Sequence, residues 1–376
     1  MTQTATVFVC GAVAACATCV VLKMVRKKRS GPRIDHGIQD LIGQTRLIEM
    51  KSLSACTGCR ILGKAEFMNP GGSVKDRVAL EIFRRALEEG RLRTGGLVCE
   101  GTVGSTGVSL AMLAPSFGCR CFIAMPDDAA EEKVTMLKAL GAEVCRVRPV
   151  SIAHPEHFVN VARKRAEKEQ NAIFADQFEN LANFQAHLKT GEEIWDQTGG
   201  SVDAFVSGAG TGGTIAGVSR VLKQHKPSVR VFLADPPGSG LYNKVKRGVM
   251  YTKEEAEGKR LRNPFDTITE GVGINRVTKN FEQAIVDDAF KVSDRESVEM
   301  AAFLLRQEGL FVGSSAAVNC VGAVKAARIL GPGHTIVTML CDGGQRHLSK
   351  FHSHQYLEEL HLQPEYTGDD VLEFVM

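Results

Sequence analysis

Short aliphatic and β-branched runs alternate with amphipathic stretches along most of this chain, and glycines mark the junctions. The run ILGKAEF at 61–67 precedes a helix-patterned stretch from Ser73 to about Glu89, ended by Gly90. GLVCE (96–100) leads through a glycine loop to a helix near Val108–Ala114. CFIAMP (121–126) leads to a helix over Glu131–Leu140, stopped by Gly141, and AEVCRV (142–147) follows. AFVSG (204–208), VRVFLAD (229–235) and TIVTML (335–340) continue the series. This order argues for an α/β architecture in which a parallel sheet is covered by helices on both faces. The 376 residues allow about two domains. No internal repeat or low-complexity tract is present. Lys244 to Asn263 is polar, charged and glycine-containing and reads as an exposed insertion. The tail beyond about Phe351 is acidic and too short for another folded domain.

The stretch MNPGGSVKDR, Met68 to Arg77, puts a lysine just inside a helix start after a glycine turn. A cation is disfavoured at that end of the helix dipole. Ser73 reads as the N-cap, with Asp76 three residues on as a capping-box partner. Val74, Val78, Ile82, Phe83 and Ala86 form the apolar stripe. Lys75 is therefore fixed in the first turn, where the local field favours a neutral amine. A solvated lysine is the bland reading of such a position. A neutral, buried amine is what imine formation with an aldehyde requires.

Three further junctions carry glycines and hydroxyls. EGTVGSTGVSL (100–110) offers backbone N–H groups with the hydroxyls of Thr102, Ser105 and Thr106, suited to a carboxylate or phosphate. SGAGTGGTIAG (207–217) suits a phosphate held by backbone alone, and GLFVGSSAAVN (309–319) carries Ser314 and Ser315. Each hydroxyl taken singly is as well explained by helix capping. Several anion sites at strand carboxyl ends, together with an activated lysine, point to pyridoxal phosphate.

Taken together, these motifs resemble the fold-type II pyridoxal phosphate enzymes, which are tryptophan-synthase-β-like, and within them the cysteine synthase and cystathionine β-synthase branch. NPGGSVKDR is similar to the lysine motif of that branch and GTVGSTG to its substrate-carboxylate loop. DQFENLAN (176–183), SGAGTGGT, EGVG (270–273) and GSSAA (313–317) resemble its glutamine segment, phosphate loop, a further active-site loop and pyridine-nitrogen loop. The resemblance spans roughly residues 38–350 and extends to a fungal mitochondrial outer-membrane form of the family. It implies two lobes, a small one over about 68–180 and a large one from the rest of 34–376, each with a twisted, mostly parallel sheet. It also implies a homodimer.

On this resemblance Lys75 carries the cofactor and, once displaced by substrate, removes the α-proton. Gly208, Gly210, Thr211, Gly212, Gly213 and Thr214 hold the 5′-phosphate. Thr102, Gly104, Ser105, Thr106 and Gln177 grip the substrate carboxylate, and Ser105 also belongs to the cofactor set. Ser315 faces the pyridine nitrogen as a neutral hydroxyl, which weakens the electron sink and favours β-elimination to an aminoacrylate. Addition of sulfide then gives cysteine, so the implied activity is that of an O-acetylserine sulfhydrylase. Cysteine desulfhydrase and cystathionine β-synthase chemistry are the near alternatives. The chain departs from the family at Ser105, where asparagine is usual, and at Ala316, where a second serine is usual.

Two rival readings compete. GAGTGG from Gly208 satisfies G-x-G-x-x-G, and Asp235 stands further on at a strand end, as in a nicotinamide-binding dehydrogenase. An inactive membrane-tethered scaffold is the other, motivated by Ser105.

Ala5 to Leu22 is an uncharged run near the lower length limit for crossing a bilayer. Residues 1–33 hold six basic residues and no acid, which leaves −3 for the remainder of a chain whose net charge is +3. The basic cluster follows the apolar run, which is the reverse of a secretory signal. The expectation is an N-terminal anchor in the mitochondrial outer membrane with the catalytic domain facing the cytosol. Another mitochondrial compartment or the cytoplasm is the alternative. One Trp and four Tyr offer few stacking platforms, and no basic stripe suggests nucleic acid. Most of the 11 cysteines lie in apolar segments and read as small buried hydrophobes in a reducing compartment. Cys56 and Cys59 have redox spacing but read as a structural turn. No second pair is spaced for zinc, and no metal is expected.

Overall fold

The computed structural model describes residues 36–129, 131–251, 267–366 and 372–376. The expected N-terminal anchor lies outside these residues, as does most of the Lys244–Asn263 insertion. The elements run β1 (Leu47–Glu49), α1 (Lys51–Thr57), β2 (Arg60–Ala65), α2 (Lys75–Glu88), β3 (Leu97–Gly101), α3 (Ser105–Leu113), β4 (Arg120–Pro126) and α4 (Glu131–Ala139). They continue with β5 (Glu143–Val147), α5 (Phe158–Glu167), β6 (Ala172–Phe174), α6 (Ala182–Thr198), β7 (Ala204–Ser207), α7 (Gly213–His225), β8 (Arg230–Asp235) and α8 (Leu241–Arg247). The last are β9 (Asp288–Lys291), α9 (Asp294–Glu308), α10 (Ser314–Leu330), β10 (Thr335–Leu340) and α11 (His354–Glu359).

Among the described residues the strands form two sheets, a six-stranded one in the order β1-β2-β10-β7-β8-β9 and a four-stranded one in the order β5-β4-β3-β6. Every pairing is parallel except β1 with β2 at the edge. The alternating pattern therefore resolves into two lobes, each with helix-covered parallel strands. The central strands are buried on both faces, which is why TIVTML and VFLA read as continuous apolar runs with no alternation.

In the large sheet β10 lies between β2 and β7, with Ile336 opposite both Ile61 and Ala204. This brings the carboxyl ends of strands far apart in sequence into one place. Helix α10 packs its small residues (Ala316, Ala317, Ala323, Ala326, Ala327) into the core under this sheet. The tail is part of the same core, since Leu357, Tyr366, Leu372 and Val375 are buried in it.

Helix α2 buries the expected stripe, with Val74, Val78, Ile82, Phe83 and Ala86 all in the core. The capping box does not form. The helix starts at Lys75 with Val74 as its N-cap, and no side chain caps it. Ser73 Oγ accepts from the Lys75 N–H at 3.3 Å. Asp76 turns away, to the Gly71 N–H at 2.6 Å and the Ser109 hydroxyl at 2.5 Å. Burial explains the difference, because Asp76 is fully enclosed and takes its donors from the neighbouring turn and helix α3.

The strand expected over 61–67 ends at Ala65, and Glu66–Met68 form a 3-10 turn. Glu66 is needed there by Arg77, whose Nε and Nη2 bond its two oxygens at 2.7 and 2.9 Å. Lys64, Arg77 and Glu193 complete a buried ion network with it, at 2.7 Å for Lys64 to Glu193 and for Arg77 to Glu193. Lys244 does not begin an exposed loop, because it lies inside α8. Cys56 and Cys59 flank the left-handed Gly58, with Cys59 Sγ bonded to the Gly331 carbonyl at 2.9 Å. The pair is a helix end.

Candidate active site

The loops that follow β2, β7 and β10, with those that follow β3 and β6 of the small sheet, converge at strand carboxyl ends. The Val74 N–H donates to the Cys341 carbonyl at 2.8 Å, and Ser73 pairs with Asp342. The lysine turn is thereby stitched to the end of β10. Burial lowers the pKa of Lys75, and Cys341 and Asp342 nearby oppose this. The amine is thus driven toward its neutral form.

The 208–214 loop is a backbone cradle. The Gly208 N–H donates to Asn319 Oδ1 at 2.6 Å. A Cβ on Gly210 would stand 2.4 Å from the Gly271 carbonyl oxygen, so only glycine lets the two loops approach. Gly212 has φ +85°, and α7 begins after it with no side-chain cap. Thr211 is fixed by Asn183 Nδ2 at 2.8 Å and, through its carbonyl, by the Thr278 hydroxyl at 2.7 Å. Thr214 Oγ1 lies 3.1 Å from His187 Nε2. His187 is enclosed, and burial pushes its pKa down to about 3, so it stays neutral. An uncapped helix N-terminus lined by glycine is a ready anion site. The donor set fits the 5′-phosphate of pyridoxal phosphate.

The loop after β3 is organised by a second buried network. Thr106 Oγ1 donates to Gln177 Oε1 at 2.6 Å, and the Gln177 N–H reaches Glu100 at 3.3 Å. Burial holds the Glu100 carboxyl up at about 8. Thr102 Oγ1 accepts from the Gly104 N–H at 3.1 Å, and Gly104 is the N-cap of α3. Ser105 Oγ accepts from Arg346 Nη1 at 3.0 Å, and Arg346 Nη2 bonds the Gly71 carbonyl.

Ser315, the second residue of α10, is buried next to the Cys341 thiol, which burial pushes up to about 11. Asn319, already bonded to Gly208, also reaches Cys341 Sγ at 3.4 Å and so joins the 208–214 loop to this floor. Beside it His347 Nε2 pairs with Asp342 at 3.0 Å. Its Nδ1 comes within 3.4 Å of Glu270, an ion-pair contact too long for a good hydrogen bond. Burial would lower the His347 pKa, yet the two carboxylates carry it to about 9. Glu270 also pairs with Lys133 at 2.6 Å.

The structure thus gathers Lys75, Ser105, Ser315 and the loop residues at strand carboxyl ends drawn from both sheets. Sequence reasoning missed Asn183, His187, Asn319, Asp342, His347 and Arg346. CDGGQRH after TIVTML carries the same strand-then-glycine signature as the other loops and was the available signal. Asp235 does not support the dehydrogenase reading. It is buried and accepts the Tyr242 N–H at 2.7 Å at the start of α8, where burial raises it to about 7.

Residues 38–342 match the family described as pyridoxal-phosphate dependent enzyme. Cysteine synthase 2 of Schizosaccharomyces pombe is 52% identical over 354 residues, covering 91% of this chain and 89% of that protein. A protein of Saccharomyces cerevisiae named putative mitochondrial cysteine synthase is 48% identical, covering 86% of each. The crystal structure of an O-acetylserine dependent cystathionine β-synthase from Helicobacter pylori superposes with a TM-score of 0.73 at 29% identity, covering 85% of this chain and 99% of that one. The fold is that of the fold-type II enzymes, and its two largely parallel sheets agree with this. The chain belongs to the pyridoxal-phosphate dependent enzymes, in their cysteine synthase and cystathionine β-synthase branch.

Proposed function

We propose that this chain is a cysteine synthase, which converts O-acetylserine and sulfide to cysteine and acetate. The observation that carries the reading is Lys75, half-buried in a turn that the Val74 N–H fastens to the Cys341 carbonyl at the end of β10, with its amine driven toward the neutral form by desolvation. The similarity to named cysteine synthases over most of the chain supports it.

Pyridoxal phosphate, when bound, supplies an electron sink for negative charge at the substrate Cα. The rest is done by this chain. The backbone N–H groups of the loop from Gly210 to Gly213, with Thr211 and Thr214, hold the phosphate at the positive end of α7, and Gly208 is fixed beneath them by Asn319. Thr102, Gly104, Ser105 and Thr106 receive the substrate carboxylate, and Gln177 fixes the Thr106 hydroxyl. Lys75 Nζ anchors the cofactor and accepts the proton from substrate Cα. Ser315 gives the ring nitrogen a hydroxyl in place of a carboxylate, which limits charge build-up and directs the reaction toward loss of the β-substituent.

The test is spectroscopic. Purified protein given the cofactor should show a visible band that Lys75→Ala lacks, O-acetylserine should change it, and sulfide should restore it with release of cysteine. Absence of the band overturns the cofactor assignment. A band that no O-substituted serine alters overturns the reaction and favours the scaffold. Formation of cystathionine from homocysteine would favour the second reading, which the Helicobacter pylori similarity supports.

We infer a mitochondrial location from the named Saccharomyces cerevisiae relative and the 5–22 run. Its finer form is an outer-membrane anchor with the enzyme facing the cytosol. Protease digestion of intact mitochondria tests this, and protection of the catalytic domain would refute it. The homodimer is tested by light scattering.

A further inference from the structure

Arg346 ends the short turn that follows β10. Its Nη1 donates to Ser105 Oγ at 3.0 Å, and its Nη2 donates to the Gly71 carbonyl. A Cβ on Gly72 would stand 3.5 Å from its Nε, so the guanidinium lies against the glycine turn before Lys75. It touches the lysine turn, the hydroxyl loop and the end of the central strand together.

Its electrostatic setting differs from that of every other cation around the site. Lys64 has Glu193, Arg77 has Glu66 and Glu193, Lys133 has Glu270, and His347 has Asp342. Among the described residues no carboxylate lies within ion-pair distance of Arg346. Burial pushes its pKa down, while Asp342 and Asp76 act on it only from further off. Side-chain hydrogen bonds use two of the five N–H groups a guanidinium carries. A half-buried cation without a counter-ion is costly unless an anion joins it.

We propose that Arg346 is the substrate-anion residue of this site: from its seat on Ser105 and Gly71, its guanidinium takes an anionic group of the amino-acid substrate. The planar fork suits a carboxylate or a phosphate. The anion is either the α-carboxylate, held on the same loop, or a charged leaving group on the β-carbon. The proposal rests on the amino-acid reading given above and assigns that site its charge.

The experiment follows the absorbance of the cofactor-loaded protein during titration with two pairs of ligands. L-Alanine and L-alaninamide differ in the α-carboxylate, and O-phospho-L-serine and O-acetyl-L-serine differ in leaving-group charge. In the native protein the anionic member of at least one pair should bind about tenfold more tightly or better. Arg346→Met should bring that ratio near one, and Arg346→Lys should restore part of it. Loss confined to the alanine pair places the guanidinium on the α-carboxylate. Loss confined to the serine pair places it on the leaving group. If the native protein discriminates neither pair, or if the variants weaken all four ligands equally, the proposal is overturned. A native protein whose spectrum answers to none of the four overturns the amino-acid reading itself, and the proposal with it. Cofactor content and melting temperature, measured alongside, separate misfolding from lost discrimination.

Discussion

Asp76 accepts the Ser109 hydroxyl at 2.5 Å while holding the Gly71 N–H at 2.6 Å, so one carboxylate links the lysine turn to the helix of the hydroxyl loop. Ser109→Ala leaves this buried group short of a donor and should cost about 1–3 kcal/mol in a melting experiment.

The same carboxylate carries a pH signature. Burial raises its pKa from 3.8 to about 6, against the donors that favour its charged form. The folded protein therefore holds a proton that the unfolded chain has already lost. Stability from this group is greatest below about 4, falls as pH rises to about 6, and is level above. Melting curves of Asp76→Asn and native protein should diverge across that window and run parallel outside it. Parallel curves throughout would contradict the assignment.

His347 works in the opposite sense. Its pKa rises from 6.5 to about 9 because Asp342 and Glu270 flank it. The stabilisation is complete below about 6.5 and is lost as pH climbs through about 9. His347→Gln should destabilise by about 3 kcal/mol at pH 6, since the buried Asp342 loses its cation while Glu270 keeps Lys133, and the penalty should shrink above pH 9. Denaturant titrations at both pH values check this.

Gly210→Ala drives a methyl to within 2.4 Å of the Gly271 carbonyl oxygen, where no flexible side chain can give way. The 208–214 and 270–273 loops must part. We expect a stability loss of about 1–3 kcal/mol and weaker cofactor retention, read by equilibrium dialysis. Unchanged retention would show that the cradle is not needed.

Arg77→Met removes the cation between Glu66, which is fully buried, and Glu193. Breaking one side of such a network costs about 3–5 kcal/mol. The melting temperature should fall, while the ligand ratios described for Arg346 should not move.

Elements with strong local periodicity were legible in the sequence. β2, β3, β4, β7, β8, β10 and the stripe of α2 fall where their patterns put them. β1, β6 and β9 were not read: they are three or four residues long, and unlike the equally short β7 none runs into a glycine-rich loop that marks its end. Lys75 and the glycine loops were legible because backbone geometry is written locally. Arg346 and Ser105 are 241 positions apart, and Gln177 and Glu100 are 77 apart. Such pairs depend on strand order, which no local pattern encodes. The capping box failed for a related reason, since Ser109 on the next helix competed for Asp76.

β10 is laid down between β2 and β7 although it is among the last segments to be synthesised. A nascent chain that has already made Lys75 and the glycine cradle still lacks the strand that joins them. Until residues 335–340 leave the ribosome, the two halves of the large sheet have no common neighbour, and the Val74 N–H has no Cys341 carbonyl to meet. Competence to capture the vitamin therefore arrives late and all at once, and a chain cut short before residue 335 keeps its lysine without the pocket.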